Sequence, residues 1–291
     1  MDKTGRITKG VGGIYMVFAD SLHYRCTPRG VFRNTGETPL VGDMVRITVS
    51  DEDKKEASLQ SILPRKNSLI RPPAANIEQV IITVCEKNPA FNPGLLDRFL
   101  MLVADAEVDM LICVNKSCGE SGLFEPYRLA GYDMVFTDAL NGFGLPLLKN
   151  HMKGKLNLFA GASGVGKSSL INAINPGLSL ETGEISKKTS RGKHTTRHTE
   201  IFPLGSREED GFCFDTPGFT SLDFSHIKKE NLGLLFMEFG PYNHVCKFTN
   251  CMHIKEIGCA VKEQVGKTIH RLRYESYVKI FESLNGHPQQ L

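Results

Sequence analysis

The sequence predicts a multidomain fold in three parts: an N-terminal all-β barrel, a central α/β region and a C-terminal helical region around a cysteine cluster. Short apolar runs separated by Gly and Pro occupy the first sixty-odd of the 291 residues. Apolar runs of strand length then alternate with a helical pattern. Four Cys and His residues lie close together towards the C-terminus. We place the three parts at residues 1–68, 69–221 and 222–291.

The composition is that of a globular protein without a membrane span. Hydrophobic residues make up 41% of the chain and charged residues 23%, which is ordinary for such proteins. No apolar run approaches the ~20 residues of a membrane helix, and residues 1–6 lack the apolar core of a signal peptide. We therefore expect a cytoplasmic protein with no membrane association. We also expect a monomer. The eight cysteines then indicate metal ligands or buried thiols rather than disulfides.

Five short strands are predicted in residues 1–68, and an OB-fold is the architecture that this number favours. The predicted strands lie at 13–18, 22–26, 30–33, 43–49 and 58–63. Basic residues are interleaved with them, namely Arg6, Lys9, Arg25, Arg29, Arg33 and Arg46. OB-folds bind nucleic acid through such faces, and a solvated strand face accounts for the same charges equally well.

The middle of the chain has a strand–helix–strand pattern. Apolar runs at 79–85 and 109–114 flank a segment at 93–107 whose apolar residues have helical spacing. Further strands are predicted at 134–136 and 156–160. This alternation predicts a mostly parallel sheet with helices on both faces.

Residues 161–168 fit the pattern G-x-x-x-x-G-K-[ST] of a phosphate-binding P-loop. A predicted strand precedes the motif and a helical pattern follows it, which is the context that the motif requires. Its glycines let backbone N–H groups converge on phosphate oxygens. Lys167 is expected to reach the β- and γ-phosphates, and the Ser168 hydroxyl is expected to ligate Mg²⁺. The predicted nucleotide contacts here are Ala162, Ser163, Gly164, Val165, Gly166, Lys167, Ser168, Ser169 and Leu170.

Two segments before the P-loop resemble the guanine-recognition motifs of GTPases. The predicted strand at 109–114 is followed by Asn115, Lys116, Ser117 and Cys118, which resemble Asn-Lys-x-Asp. In that motif the Asp accepts hydrogen bonds from the guanine edge and so rejects adenine. Cys118 accepts them poorly, which either weakens guanine selectivity or transfers the task to a neighbour such as Glu120. Residues 137–144 resemble the Gly-containing loop that completes a guanine pocket with backbone N–H groups.

Two segments after the P-loop resemble the switch regions of GTPases. The basic segment 187–198 predicts a loop that changes order on ligand binding, with Thr196 or Thr195 as a further Mg²⁺ ligand; a solvated basic loop is the alternative. Asp215 follows an apolar run and is expected to hold Mg²⁺ through water, while the Gly218 N–H contacts the γ-phosphate. In Ras-like enzymes a glutamine next to this glycine orients the attacking water, and here Phe219 replaces it.

The C-terminal part contains a zinc-binding pattern. Four soft ligands, namely Cys246, Cys251, His253 and Cys259, lie within fourteen residues. Zn²⁺ favours four thiolate or imidazole ligands in a tetrahedron, so the set predicts a closed structural site. His244 is a possible substitute for His253.

Residues 261–284 have helical spacing and predict one basic amphipathic helix, or two with a bend near Tyr274. Its cations either contact RNA phosphates or form a solvated polar face. These cations are Lys262, Lys267, His270, Arg271 and Arg273.

The order of these motifs is permuted, because the Asn-Lys motif and the Gly-containing loop precede the P-loop, whereas ordinary GTPases place them after it. With the five-strand N-terminal part, the Gly-Lys-His-Thr-Thr loop at 192–196 and the cysteine cluster, this order closely resembles the ribosome small-subunit-dependent GTPase A (RsgA) family. The resemblance covers nearly the whole chain. It implies an OB-like RNA-binding barrel, a circularly permuted α/β P-loop GTPase domain and a zinc-binding helical domain.

The resemblance also implies an activity. Members bind the 30S small ribosomal subunit and its 16S rRNA, take GTP and GDP, and hydrolyse GTP in a subunit-stimulated manner during late maturation of that subunit. In the same family pattern His194 replaces the missing glutamine and acts beside Lys167 as a catalytic residue. Two alternatives stay open. One is a P-loop ATPase or kinase with RNA-binding flanks, for which Cys118 is the main support, and the other is an RNA-binding module that binds nucleotide without useful turnover.

Overall fold

The computed structural model describes residues 1–28, 38–69, 73–177, 200–214 and 227–284. The strands in these ranges are β1 (Asp2–Val11), β2 (Ile14–Ala19), β3 (Leu22–Pro28), β4 (Met44–Asp51), β5 (Glu56–Ile62), β6 (Ser68–Leu69), β7 (Ala74–Ala75), β8 (Gln79–Val84), β9 (Asp109–Val114), β10 (Met134–Phe136), β11 (Leu156–Ala160), β12 (Ile201–Pro203) and β13 (Phe212–Phe214). The helices are α1 (Pro93–Asp105), α2 (Glu125–Leu129), α3 (Leu145–Met152), α4 (Lys167–Ile174), α5 (Lys229–Leu232), α6 (Ala260–Gln264) and α7 (Arg271–Ser283). None of these described helices is long and apolar enough to span a membrane.

The chain divides into two compact units. The first unit consists of Met1–Val80, Leu145–Phe159 and Lys167–Phe219. The second unit consists of Ile81–Gly144, Ala160–Gly166 and Thr220–Leu291. Both β8 and β11 contribute residues to each unit.

The first unit begins with a closed five-stranded barrel in the order β1-β2-β3-β5-β4. Only β3 and β5 pair in parallel, and the other neighbours are antiparallel. Alternating residues of the strands point inwards and are fully buried, among them Ile7, Val17, Tyr24, Ile47 and Leu59. The predicted five-stranded OB-like barrel is therefore confirmed.

One barrel strand was not predicted, and one predicted strand lies outside the described residues. Strand β1 has few large apolar residues and contains Gly5 and Gly10, which weaken its sequence signal. Glycine is required at position 5 because the Cβ of any other residue would overlap the Phe18 carbonyl oxygen on β2. The strand predicted at 30–33 falls in the undescribed range 29–37.

Several basic residues of the barrel pair with acidic groups of their own unit. Lys9 Nζ lies 2.6 Å from the Glu200 carboxylate, and Arg25 lies 3.8 Å from Glu56. The guanidinium carbon of Arg6 lies over the Phe212 ring, 5.3 Å from the ring centroid. Arg46 is exposed, whereas Arg29 and Arg33 lie outside the described residues. With Arg6 lying 3.8 Å from Glu78, three of the six predicted basic residues are thus paired with carboxylates.

A six-stranded sheet follows in the order β10-β9-β8-β11-β13-β12. The pairs β9–β10 and β11–β13 are parallel, as predicted, and the unpredicted edge strand β12 is antiparallel to β13. Helix α1 begins after β8 because Asn92 accepts a hydrogen bond from Leu95 N at 3.1 Å, with Pro93 in the first turn. Sequence and local geometry therefore agree on the strand–helix–strand core.

The C-terminal tail forms two helices, and the predicted bend near Tyr274 is wrong. Tyr274 lies inside α7, and the chain turns between α6 and α7 instead. The turn contains Gly266 at φ +83, and a bridge joins Val265 to Ile269. Glycine takes up this left-handed backbone without the strain that a Cβ would add.

Arg273 on α7 is buried, so both alternatives for this cation, an RNA phosphate contact and a solvated polar face, are wrong. Only 2% of its surface is exposed. It donates to the Asp97 carboxylate on α1 and, at 2.6 Å, to Glu238. Its third acceptor is the Tyr132 hydroxyl at 3.1 Å. Burial raises the pKa of the Asp97 carboxyl, while the charge of Arg273 opposes that shift.

Removing this guanidinium should be costly. In Arg273→Met, two buried carboxylates lose their cation, and breaking a buried pair in this way costs about 3–5 kcal/mol. We expect urea unfolding, followed by circular dichroism, to show a loss of that size. The exposed neighbour Arg271 is the matched control, since Arg271→Met should change stability by no more than about 0.5 kcal/mol. Equal stability of the two variants would contradict the assignment.

Candidate nucleotide-binding and metal sites

The P-loop connects β11 to α4 by a turn that requires glycine at two positions. Gly161 has φ +136, and a Cβ there would overlap the Thr83 carbonyl oxygen. Gly166 has φ +96, and a Cβ there would overlap the side-chain amide of Asn115. The glycines thus let the loop lie directly against neighbouring backbone and side chains, and the loop leads into the N-terminus of α4, where anions are stabilised.

Lys167 is the first residue of α4 and is largely buried. Burial lowers the pKa of its ammonium group to about 8. A bound phosphate would favour the protonated form, because an adjacent anion offsets the lost hydration. The position suits the phosphate-contacting role that the motif predicts.

Asn115 joins three segments of the second unit. Its side chain is 1% exposed, and its Nδ2 donates to the Val165 carbonyl in the P-loop at 2.9 Å. Its Oδ1 accepts from the Thr137 hydroxyl and from Ala139 N, each at 3.3 Å. The end of β9, the loop after β10 and the P-loop are therefore held together by one amide.

Lys116 makes a second connection to the P-loop. Its backbone is in the left-handed region at φ +58. Its Nζ donates to the carbonyl of Gly164 at 2.7 Å and to that of Asn88. Asn88 was not predicted from the sequence, because its contribution is a backbone carbonyl and no side-chain pattern marks it.

Ser117 and Cys118 complete the segment after β9. Ser117 N donates to the Thr137 carbonyl at 3.0 Å, and the Ser117 hydroxyl donates to the Gly119 carbonyl at 2.8 Å. Cys118 is exposed. Glu120, the carboxylate suggested as its substitute, lies 2.5 Å from Arg128.

Ser168, Ser169 and Leu170 lie in the first turn of α4, and Ala162 and Ser163 lie in the P-loop. Five other predicted residues of the nucleotide site lie outside the described part of the chain. They are His194, Thr195, Thr196, Asp215 and Gly218. Their roles stay predictions.

The four predicted zinc ligands come together in the second unit. The three Cys Sγ atoms and a ring nitrogen of the His all lie within 4.8 Å of one another. The four residues are Cys246, Cys251, His253 and Cys259. His253 Nδ1 is 3.4 Å from Cys259 Sγ and 3.6 Å from Cys246 Sγ, and the latter two sulfurs are 3.9 Å apart. A tetrahedral zinc ion with ordinary bond lengths has ligand separations of roughly 3.6–3.8 Å. The cluster therefore fits a zinc ion, and it contains His253 rather than His244.

Helices α6 and α7 support this cluster. Cys259 caps α6 by accepting from Lys262 N at 3.5 Å. From α7, the Tyr274 hydroxyl donates to the His253 carbonyl at 2.8 Å and the Tyr277 hydroxyl donates to the Met252 carbonyl at 2.6 Å. The ligand loop is thus fixed by its backbone, which leaves the four side chains free to face one another.

These features define a P-loop nucleotide-binding protein in which the segments that resemble base-recognition motifs precede the P-loop. Residues 62–225 match the family model of the RsgA GTPase, and residues 4–57 match that of the RsgA N-terminal domain. The chain belongs to the RsgA GTPase family.

Individual relatives agree with this assignment. The chain is 41% identical over 283 residues to the "small ribosomal subunit biogenesis GTPase RsgA" of Alkaliphilus metalliredigens, which covers 95% of this chain and 96% of the relative. Among solved structures, it is similar to YloQ, described as a circularly permuted GTPase, with a TM-score of 0.83, 35% identity and coverage of 100% of this chain and 98% of that one. YjeQ from Thermotoga maritima gives a TM-score of 0.83 at 34% identity, covering 99% and 100%. The predicted permuted GTPase fold is confirmed.

The metal site can be tested by substitution and metal analysis. We expect the purified protein to contain one equivalent of zinc, and Cys246→Ser to contain much less, because a hydroxyl is a poor ligand for this ion. The thermal midpoint should fall as well, since structural zinc contributes folding free energy. Cys118→Ser changes an exposed cysteine outside the cluster and should keep its zinc. Full zinc content in Cys246→Ser would refute the site.

Proposed function

We propose that the protein is a ribosome biogenesis GTPase that binds the 30S subunit and hydrolyses GTP when that subunit stimulates it. The observation that carries the proposal is the tie between the Asn115–Lys116 segment and the P-loop, made by the contacts to Val165 and Gly164. A base-recognition segment placed directly on a phosphate loop is what a guanine nucleotide site requires. Family membership and the relatives named for small-subunit biogenesis support the rest.

The phosphate chemistry is assigned to the P-loop and to the two segments that follow it. Lys167 and the loop N–H groups hold the phosphates, and Lys167 offsets charge that develops on transfer. Ser168 and Thr196, or Thr195, would hold Mg²⁺, with Asp215 acting through a water, and the ion would supply further charge compensation when bound with GTP.

We assign the water-positioning step to His194. Phe219 occupies the place of the usual glutamine, and an imidazole can hydrogen-bond a water near neutral pH. The small subunit would order the segment that carries His194. Hydrolysis would remove the γ-phosphate that the Gly218 N–H contacts, and that segment would then be released as well.

One structural zinc ion is proposed for the cluster formed by the four Cys and His ligands. The donor set and the spacing of the sulfur and nitrogen atoms support it. All four positions of the tetrahedron are taken by protein ligands, so the ion would stabilise the fold rather than catalyse a reaction.

The proposed partners are the 30S subunit, its 16S rRNA, and GTP or GDP. The three parts at 1–68, 69–221 and 222–291 would contact RNA, turn over GTP and hold zinc, respectively. The exposed cations Arg46, Lys267 and Arg271 support the RNA contacts at the two ends. Because the proposed partner is a ribosomal subunit, we propose that the protein acts in the cytoplasm, and that it does so as a monomer.

The alternative of an ATPase or kinase is disfavoured. Its main support was Cys118, and the family to which the chain belongs is one of GTPases. Cys118 affects which purine base the site selects, and base selectivity does not decide the class of enzyme.

Hydrolysis with and without purified small subunits tests the proposal. We expect the protein alone to hydrolyse GTP slowly and the rate to increase greatly when 30S subunits are added. We expect ATP to be hydrolysed very slowly with or without the subunits.

In His194→Ala the stimulated rate should fall by about a hundredfold or more, the loss typical of a residue that handles a proton or water. His198→Ala in the same basic segment is the matched control and should stay near the native rate.

Two outcomes would contradict parts of this account. Equal GTP turnover with and without subunits would overturn the subunit-stimulated function. A native stimulated rate in His194→Ala would remove only the histidine assignment.

A further inference from the structure

A protein distinguishes purine bases by the hydrogen-bond donors and acceptors on their edges. Guanine presents the acceptors O6 and N7, whereas adenine carries an amino donor in place of O6. Hypoxanthine, the base of inosine nucleotides, shares O6 and N1–H with guanine and lacks only the 2-amino group. A donor opposite O6 therefore separates both 6-oxopurines from adenine, and an acceptor opposite the 2-amino group is needed to separate guanine from hypoxanthine.

The first observation concerns the position that resembles the guanine-reading carboxylate. It is occupied by Cys118, which is exposed at the end of the segment after β9. A thiol is a weak hydrogen-bond acceptor. A carboxylate at this place would accept from the 2-amino group with the added strength of a charged bond.

The second observation concerns the other carboxylates of the two base-recognition loops, residues 115–121 and 137–144, all of which the structure describes. Glu120 is paired with Arg128 at 2.5 Å. Asp138 accepts from Leu140 N and from Asn141 Nδ2, each at 2.9 Å. Both carboxylates of these loops are thus engaged by donors of their own chain.

The third observation concerns a backbone donor for O6. The Ala139 N–H lies in the loop that resembles the backbone part of a guanine pocket. Its bond to Asn115 Oδ1 is 3.3 Å long, beyond the usual range for a backbone N–H donor. This long bond leaves the N–H able to donate to a base oxygen as well, and the amino group of adenine would meet it donor to donor.

We propose that this site accepts 6-oxopurine nucleotides as a class, binding guanosine and inosine nucleotides nearly equally while rejecting adenosine nucleotides. Cys118 is the residue responsible for the nearly equal binding of guanosine and inosine nucleotides, because it leaves the 2-amino group of guanine without an acceptor. The inference rests on the proposed function and names the substrate class of the same site.

Binding of GDP, IDP and ADP, measured by calorimetry, tests the inference without hydrolysis. We expect the native protein to bind GDP and IDP within about threefold of each other and ADP far more weakly. Cys118→Asp restores the missing carboxylate and should raise the preference for GDP over IDP by about tenfold to a hundredfold, the worth of a hydrogen bond to a charged group. Cys118→Asn has the same shape without the charge and should raise it much less.

A second pair of variants separates Cys118 from its neighbour. If Glu120 leaves Arg128 to read the 2-amino group, the native protein will prefer GDP over IDP by tenfold or more and Glu120→Gln will lose that preference. This result would overturn the inference and leave the proposed GTPase standing. Glu125→Gln removes a different acidic partner of Arg128 and is the matched control, with no change in the ratio expected.

A third outcome concerns the function itself. If ADP binds as tightly as GDP and IDP, the 6-oxopurine assignment fails together with the proposed GTPase. The three diphosphates therefore distinguish failure of the specificity from failure of the function.

Discussion

The side-chain amide of Asn115 is the interaction on which the nucleotide site depends. An amide carries donors and an acceptor at one point, so Asn115 can donate to the Val165 carbonyl and accept from Thr137 and Ala139 at once. A carboxylate would present only acceptors to Val165, and an apolar residue would leave buried carbonyl and hydroxyl groups unpaired. Gly166 lies so close to this amide that no Cβ fits, which explains why the last loop glycine is needed.

Chain order matters little to such a site. Parallel strands end at one edge of a sheet, and ligand loops gather there whatever their order in the sequence. Asn115 follows β9, Thr137 follows β10, and Gly161 follows β11. The same contacts therefore form although the base segment precedes the phosphate segment, which is the permuted arrangement of this family.

Helix α7 connects two further features of the second unit. Arg273 fixes it to Asp97 of α1 and to Glu238, while Tyr274 and Tyr277 on the same helix hold the backbone of the zinc-ligand loop. One helix thus positions both the cysteine cluster and the helix that follows β8. Its apolar residues pack in a common buried core with Phe236 and Phe239.

Local patterns made much of this predictable. The P-loop, the strands beside it and the Cys/His cluster are marked by residue types at fixed spacings, and they form where the sequence predicted them. What the sequence did not reveal depends on distant partners. Arg273 looked like a surface cation because Asp97 lies 176 residues away, although its place on the same helical face as Tyr277 and Ile280 was a signal that it is buried. Strand β1 and the role of the Asn88 carbonyl likewise follow from neighbours that only the fold supplies.

The central claim is that the base-recognition loops and the P-loop form one guanine nucleotide site. Amide hydrogen exchange with and without GDP tests it most directly, because protection reports local opening along the whole chain. The account predicts that residues 137–144 and 161–166 become protected together and at the same GDP concentration. Protection confined to residues 161–166, with 137–144 unchanged, would contradict it.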